Sequence, residues 1–246
     1  MSRPLESMEA VIVRQVPYGE ADLIVGLMTD LRGKLSVFAS GARKSVKRFG
    51  GGLDLFSYVR ADLRPPRAAH EHLWRLEKIE LIDPHFSVRS NLRAFATASY
   101  LAECIWSLGG EGDPQHRLFV WWRETLAAME RDPAASDRAV QLDLELLKLC
   151  GYSPRWNVCI ECGRPPQGNP LFFSFEQGGI SCQSCRKRGE GRWLDSATVR
   201  HLYSGESMEH GEEDSIRRTL DAFVTHTLGR EPKSQRFREE ILRERG

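Results

Sequence analysis

Four cysteines arranged as two C-x-x-C pairs are the residues of this sequence whose types and spacing most clearly permit chemistry. The pairs are Cys159 with Cys162 and Cys182 with Cys185, and 19 residues separate them. Thiolates are strong ligands for soft metal ions, and two such pairs at this spacing are typical of a four-cysteine zinc site. Four sulfur ligands complete a tetrahedron and leave no position open for water or substrate. The spacing therefore predicts one structural Zn²⁺ ion rather than a catalytic one.

The two remaining cysteines, Cys104 and Cys150, fall on apolar faces of predicted helices. A free cysteine in such a place usually behaves as a small buried hydrophobic residue. The start of the sequence, MSRPLESMEA, has no apolar stretch of the kind that a secretory signal requires. We therefore expect a cytoplasmic protein with reduced cysteines. The uncharged stretches are also too short to span a membrane.

A basic segment flanked by glycines lies between residues 41 and 52. Its cations and its one aromatic residue are Arg43, Lys44, Lys47, Arg48 and Phe49. Such a loop can contact phosphates through its cations and stack a base on the phenyl ring, as in proteins that hold single-stranded nucleic acid. The alternative is a solvated loop whose charges only increase solubility, and composition alone does not separate the two.

A second cluster of cations, Arg186, Lys187 and Arg188, directly follows the last cysteine, so we expect it at the rim of the metal module. The whole chain carries a formal net charge of only +1, so any site for a polyanion must be such a local patch. Motifs for a P-loop, a nucleophile elbow or an H-E-x-x-H metal site are absent from the sequence. The sequence therefore gives no support for an enzyme.

The segments that must position these residues begin with strands. Short runs rich in β-branched and aromatic residues alternate with Gly, Asp and Pro, which predicts strands over residues 9–16, 22–29, 34–40, 53–63 and 72–82. Few strands avoid unpaired edges most simply by closing into a barrel. The number of strands and the single long loop favour the five-stranded oligonucleotide-binding (OB) barrel.

The hydrophobic period changes to that of helices after Pro84. We predict an α+β multidomain protein in which a helical bundle is interrupted by the zinc module, and in that module a hairpin over residues 172–181. The predicted domains are an OB-fold nucleic-acid-binding domain over 1–84, a first helical part over 85–156, the zinc module over 157–192 and a C-terminal helical part over 193–246.

Short blocks along nearly the whole chain carry a resemblance to a known family. They are residues 9–25, 33–34, 41–44, 47–51, 144–154, the cysteine pairs and residues 228–237. In content and order these blocks resemble the bacterial RecO family. The Gly41-Ala-Arg43-Lys44 and Tyr152-Ser153-Pro154 blocks are the more specific ones.

The resemblance implies a recombination mediator that is not an enzyme. Members of the RecO family bind DNA, anneal complementary strands and, with RecR, help to load RecA onto DNA coated with single-strand-binding protein. It implies single-stranded and double-stranded DNA as partners and association with the nucleoid during repair. It also adds Arg14 and Lys34, which lie in matching blocks, to the expected DNA-binding residues.

Two other functions stay open at this point. The first is a zinc-containing NAD-dependent protein deacylase, which would need a glycine-rich dinucleotide turn within a βαβ pattern, whereas here strands follow one another. The second is a zinc-ribbon interaction module without DNA affinity, which explains the basic segment poorly.

Overall fold

A computed structural model describes residues 4–44, 49–66, 73–110, 115–204 and 209–243 of the chain. The first five strands form a closed barrel with the neighbour order β1-β2-β3-β5-β4. Only the β3–β5 pair is parallel. This order is that of the OB fold, which confirms the expected barrel. The strands are β1 (Glu6–Tyr18), β2 (Asp22–Thr29), β3 (Gly33–Ala39), β4 (Tyr58–Arg64) and β5 (Leu73–Asp83).

The interior of the barrel is filled by small and branched apolar side chains that alternate along the strands. Members from the strands include Ala10, Ile12, Val25, Leu27, Val37, Val59, Ala61, Leu63 and Leu76. Phe49 and Leu53, which precede β4, also belong to this core. The barrel is therefore packed with side chains and closed partly by the segment that leads into β4.

The predicted fourth strand was wrong at its start. It was placed over residues 53–63, but β4 begins at Tyr58 and the preceding residues form turns. The amide of Gly52 donates to the carbonyl of Phe49, and Phe56 adopts a positive φ of 71°. Apolar residues in a turn that packs into the core have the same composition as a buried strand. The sequence pattern therefore could not distinguish the turn from a strand. The predicted start of the fifth strand, His72, lies outside the described residues.

Helices follow the barrel in the same compact unit, which comprises residues 1–137 and 236–246. Asn91 caps the second helix through its side chain, which accepts hydrogen bonds from the amides of Arg93 and Ala94. Phe56, which is fully buried, packs edge-on against Phe95 and Trp122. These elements are α1 (Phe86–Ser90), α2 (Leu92–Leu108), α3 (His116–Arg131) and a 3₁₀ turn (Pro133–Asp137).

The second compact unit comprises residues 138–235 and contains the four paired cysteines. Its strands form one sheet with the order β7-β6-β8. Phe173 of β6 stacks on Trp156 at 4.7 Å between ring centroids and meets Phe223 edge-on at 5.5 Å. The elements are α4 (Ala139–Leu149), β6 (Leu171–Ser174), β7 (Gly179–Ser181), β8 (Gly191–Leu194), α5 (Ser196–Ser204) and α6 (His210–Leu228). The last helix, α7 (Lys233–Arg243), begins in this unit.

The predicted hairpin corresponds to β6 and β7, but β8 was not predicted. Because β8 pairs with β6, the sheet of the cysteine module extends to Leu194, past the expected limit at residue 192. The division at residue 137 lies within the segment 85–156 that we expected to be one helical part. The domain limits given above remain a prediction.

Among the described residues, no helix combines enough length with enough apolar character to cross a membrane.

Candidate metal centre and nucleic-acid interface

The four predicted cysteine ligands come together in the second unit. The sulfur atoms of Cys159, Cys162, Cys182 and Cys185 all lie within 4.8 Å of one another. Tetrahedral zinc with Zn–S bonds of about 2.3 Å places its sulfur ligands slightly closer, at about 3.8 Å. Cys159 and Cys182 are buried, while Cys162 and Cys185 are partly exposed. The four sulfurs are therefore close enough to one another to hold one metal ion.

Tight turns at each C-x-x-C pair aim two sulfurs at the same point. In the first turn the amide of Gly163 donates to the carbonyl of Cys159, and Gly163 has a φ of 70°, a region that favours glycine. In the second turn the amides of Cys185 and Arg186 both donate to the carbonyl of Cys182 at 3.1 Å. The amide of Ile160 also donates to the carbonyl of Ile180, which joins the first turn to β7.

Backbone N–H groups also point at two of the sulfur atoms. The amide of Gln167 donates to the sulfur of Cys182 at 3.2 Å, and the amide of Cys182 donates to the sulfur of Cys159 at 3.4 Å. Donors of this kind stabilise the thiolate form and orient a metal ligand. A donor set made only of sulfurs, with amide donors behind them, fits zinc better than hard cations such as Mg²⁺ or Ca²⁺.

The pKa values of two of the cysteines shift in opposite directions. Burial acts to raise the pKa of Cys159, but amides from Cys182 and from residues 161–162 donate to its sulfur and lower the pKa to about 6. Burial raises the pKa of Cys182, and the neighbouring Cys159 sulfur raises it further, to about 11. Close thiolates repel one another, so a bound cation is what would allow all four to ionise together.

The three cations that follow the last ligand differ in their contacts. The guanidinium of Arg186 lies over the ring of Phe172 at 4.4 Å from its centroid and near Trp193 at 5.3 Å. Lys187 forms an ion pair with Glu161, which lies between the first two ligands and raises the pKa of Lys187 through a hydrogen bond and its charge. Arg188 is exposed. The cluster therefore lies beside the cysteine turns, and its role in binding DNA stays a prediction.

Arg14 and Lys34 meet at a tryptophan outside the barrel. Lys34 donates from Nζ to the carbonyl of Trp106 at 2.6 Å and lies 5.6 Å from the centroid of its indole. The guanidinium carbon of Arg14 lies 5.9 Å from the same centroid. The indole packs against Gly26 of β2, where the absence of a side chain leaves room for the ring. These two expected DNA-binding residues thus contact the same indole on the outer face of the barrel.

The basic segment is described only in part, because Lys47 and Arg48 lie outside the described residues. Arg43 and Lys44 are exposed, and the amide of Arg43 donates to the carbonyl of Ala21 at 2.9 Å. Phe49 is only 3% exposed and packs in the barrel core. The prediction that Phe49 offers a stacking face therefore needs correction, because its ring is packed in the barrel core, whereas Arg43 and Lys44 face solvent.

Two tryptophans that the sequence did not single out lie beside the predicted cations. Trp106 contacts Arg14 and Lys34, and Trp193 contacts Arg186. Trp193 follows an arginine in a four-residue strand that was too short to be recognised by its alternation. The contacts of Trp106 could not be predicted from the residues next to it in the sequence, because its neighbours in space come from β1, β2 and β3.

Both parts of the chain match models of one family. The model described as "Recombination protein O N terminal" matches residues 1–85, and "Recombination protein O C terminal" matches residues 89–236. A DNA repair protein RecO from Anaeromyxobacter sp. (strain K) is 32% identical over 246 residues, covering 95% of this chain and 96% of its own length. The RecO of Myxococcus xanthus is 30% identical over 241 residues, with 95% and 96% covered. That of Desulfatibacillum aliphaticivorans is 32% identical over 267 residues, with 98% of each covered.

Proposed function

The chain belongs to the RecO family of recombination proteins, and from that premise we propose that it is a DNA-binding recombination mediator in DNA repair. The observation that carries the proposal is the match of both family models, in order, over residues 1–85 and 89–236. The relatives that cover nearly the whole chain are named DNA repair proteins. The proposed activity is to bind DNA strands and anneal complementary ones.

The barrel and two exposed cations of the first unit support DNA binding. A closed OB barrel is a common scaffold for single-stranded nucleic acid, which lies against its outer face and loops. Arg43 and Lys44 extend into solvent at the end of β3. The chain as a whole is nearly neutral, so affinity for DNA must come from such local groups.

Replacing the cations of the basic segment tests this site. We expect R43A/K44A to weaken binding to a single-stranded oligonucleotide, and R43A/K44A/K47A/R48A to weaken it further, because phosphate contacts are lost. Each lost contact should also reduce the slope of log affinity against log salt concentration by about 0.7. Fluorescence anisotropy at several salt concentrations measures both quantities.

A matched control removes the same charge elsewhere. Lys148 and Arg243 are exposed helical cations that pair with Glu145 and Glu239. K148A/R243A lowers the net charge as much as R43A/K44A does, and we expect it to keep the affinity and the salt slope of the wild type. If the quadruple variant also kept both, the basic segment would not be the DNA site.

The mediator role includes protein partners. We propose that the chain acts with RecR to help load RecA onto DNA coated with single-strand-binding protein, and that it anneals complementary strands without any enzymatic turnover. Annealing of two labelled complementary strands, bare and then coated with single-strand-binding protein, tests the role directly. No acceleration in either condition would contradict it.

We further propose that the four-cysteine site holds Zn²⁺ with a structural role. The ligand set is closed, so the ion would fix the two turns and present Arg186–Arg188 at the rim. The NAD-dependent deacylase gains no support, because β1, β2 and β3 follow one another directly and close a barrel with β4 and β5. Turnover of NAD by the pure protein would reverse that conclusion.

A further inference from the structure

The outer face of the three-stranded sheet in the cysteine module carries an aromatic pair. Phe172 of β6 is paired in register with Trp193 of β8, so both side chains project from the same face. The opposite face carries Phe173, which packs against Trp156 and Phe223. One face of this sheet therefore forms the core of the unit, and the other holds Phe172 and Trp193.

Trp193 is half exposed, although Phe172 beside it on the same face is buried. The side chain of Trp193 is 45% exposed, whereas Phe172 is only 4% exposed. Tryptophan is on average one of the more buried residues, and a half-exposed indole leaves part of its surface available to a ligand. The two rings meet at 5.1 Å between centroids and at 63°, an edge contact that holds the indole in place.

Arg186 holds a positive charge beside this indole. Its guanidinium lies 4.4 Å from the centroid of Phe172 and 5.3 Å from that of Trp193. Its amide donates to the carbonyl of Cys182, so its position follows from the turn that carries two of the cysteine ligands. The backbone of Arg186 is therefore held by the turn that contains Cys182, and its guanidinium is held by contacts with two aromatic rings.

The chemistry of this surface indicates which ligand it would bind. It combines a flat aromatic face with an adjacent fixed cation, and a further exposed arginine, Arg188, follows two residues later. A single nucleic-acid strand offers the complementary features, since each nucleotide has a planar base and an anionic phosphate. In a duplex the faces of the bases are covered by their neighbours, so the surface suits single strands.

Resting on the proposed DNA-binding function, we propose that Trp193 is a base-stacking site for single-stranded DNA and that Arg186 and Arg188 contact the phosphates beside the stacked base. This assigns a binding role to the outer face of the β6-β7-β8 sheet. It also gives the metal site a task beyond stability, because the second cysteine turn fixes Arg186.

The test compares a normal strand with one that has no bases to stack. Binding of wild type, W193A and W193F is measured by anisotropy on oligothymidine and on an abasic strand of the same length. We expect W193A to bind oligothymidine about tenfold more weakly, which corresponds to about 1.4 kcal/mol and lies within the range for one stacked base. W193F should recover most of the affinity, and the abasic strand should bind W193A and wild type equally.

Tyr203 provides a matched control, because it is an exposed aromatic residue of the same unit at 50% exposure. Y203A should bind both strands as the wild type does. Zinc content and melting temperature of W193A are measured alongside, to show that the module is intact.

Three outcomes are informative. If the wild type binds oligothymidine and W193A binds it equally well, the stacking site is wrong while the proposed DNA binding stands. If W193A loses the same affinity on both strands, the indole does not act by stacking and the proposal is also overturned. If the wild type binds neither strand, the proposed function itself fails.

Discussion

Gly26 shows how one residue decides where a helix can rest on the barrel. A β-carbon added at Gly26 would lie 2.8 Å from the indole of Trp106 and 2.9 Å from the β-carbon of Arg14. Both distances are shorter than van der Waals contact. The absence of a side chain on β2 is therefore what admits Trp106, and with it the contacts of Arg14 and Lys34.

We predict that Gly26→Ala destabilises the protein by about 1 to 3 kcal/mol, the range typical of overpacking. The cost should fall in a Trp106→Ala background, because the closest ring atoms are then gone. Urea unfolding followed by circular dichroism measures both changes.

Gly211 supplies the control for this prediction. It lies in α6 with no atom within 4 Å of an added β-carbon. Gly211→Ala should leave stability unchanged or raise it by up to about 1 kcal/mol, because alanine favours helix more than glycine does. An unchanged midpoint for Gly26→Ala would show that Trp106 can move away at little cost.

At the scale of elements, the two C-x-x-C turns belong to different segments of the second unit, and backbone hydrogen bonds already link those segments. One turn is tied to β7 through Ile160 and Ile180, and the other follows β7 directly. A metal ion bound by both turns would crosslink them. Its binding free energy would then contribute to the folding free energy of the module.

We predict that Cys185→Ser loses bound zinc and destabilises the protein by more than about 2 kcal/mol, because loss of a structural metal is among the larger single-site effects. Zinc released on denaturation and the thermal midpoint are the measurements. Cys150→Ser should keep one zinc per chain, since Cys150 is not in the cluster. Equal zinc content in both variants would contradict the ligand assignment.

At the scale of the whole molecule, the chain divides into two compact units, each with a core of its own. The barrel core of the first unit includes Ile12, Val25 and Val37, and that of the second includes Phe173 and Ile180. Only the second contains the cysteine site. Removal of a metal should therefore act on one unit first.

We predict that a chelator speeds amide hydrogen exchange at Phe172 and Ile180, in β6 and β7, while Val25 and Val37 in the barrel keep their protection. Hydrogen exchange followed by mass spectrometry resolves these segments. Protein already free of metal serves as the control and should show no response to the chelator. Equal loss of protection in the barrel would mean that the metal stabilises the chain as a whole.

Features that depend on local chemistry could be predicted before the fold was known. The spacing of Cys159, Cys162, Cys182 and Cys185 predicted one cluster, because a C-x-x-C turn brings its own two sulfurs together. Alternation predicted most of the barrel strands, and the period of the helices was equally local. The family resemblance, which rested on short blocks in order, was confirmed by the matches of both family models over residues 1–85 and 89–236.

Which aromatic residues are exposed could be seen only once the chain was folded. Phe49 lies in a basic, glycine-rich segment, yet it fills the barrel core beside residues far from it in the chain. Trp193 stays half exposed because the strand that carries it pairs at the edge of a small sheet. The burial of a ring depends on which distant segments cover it, and neither composition nor period contains that information.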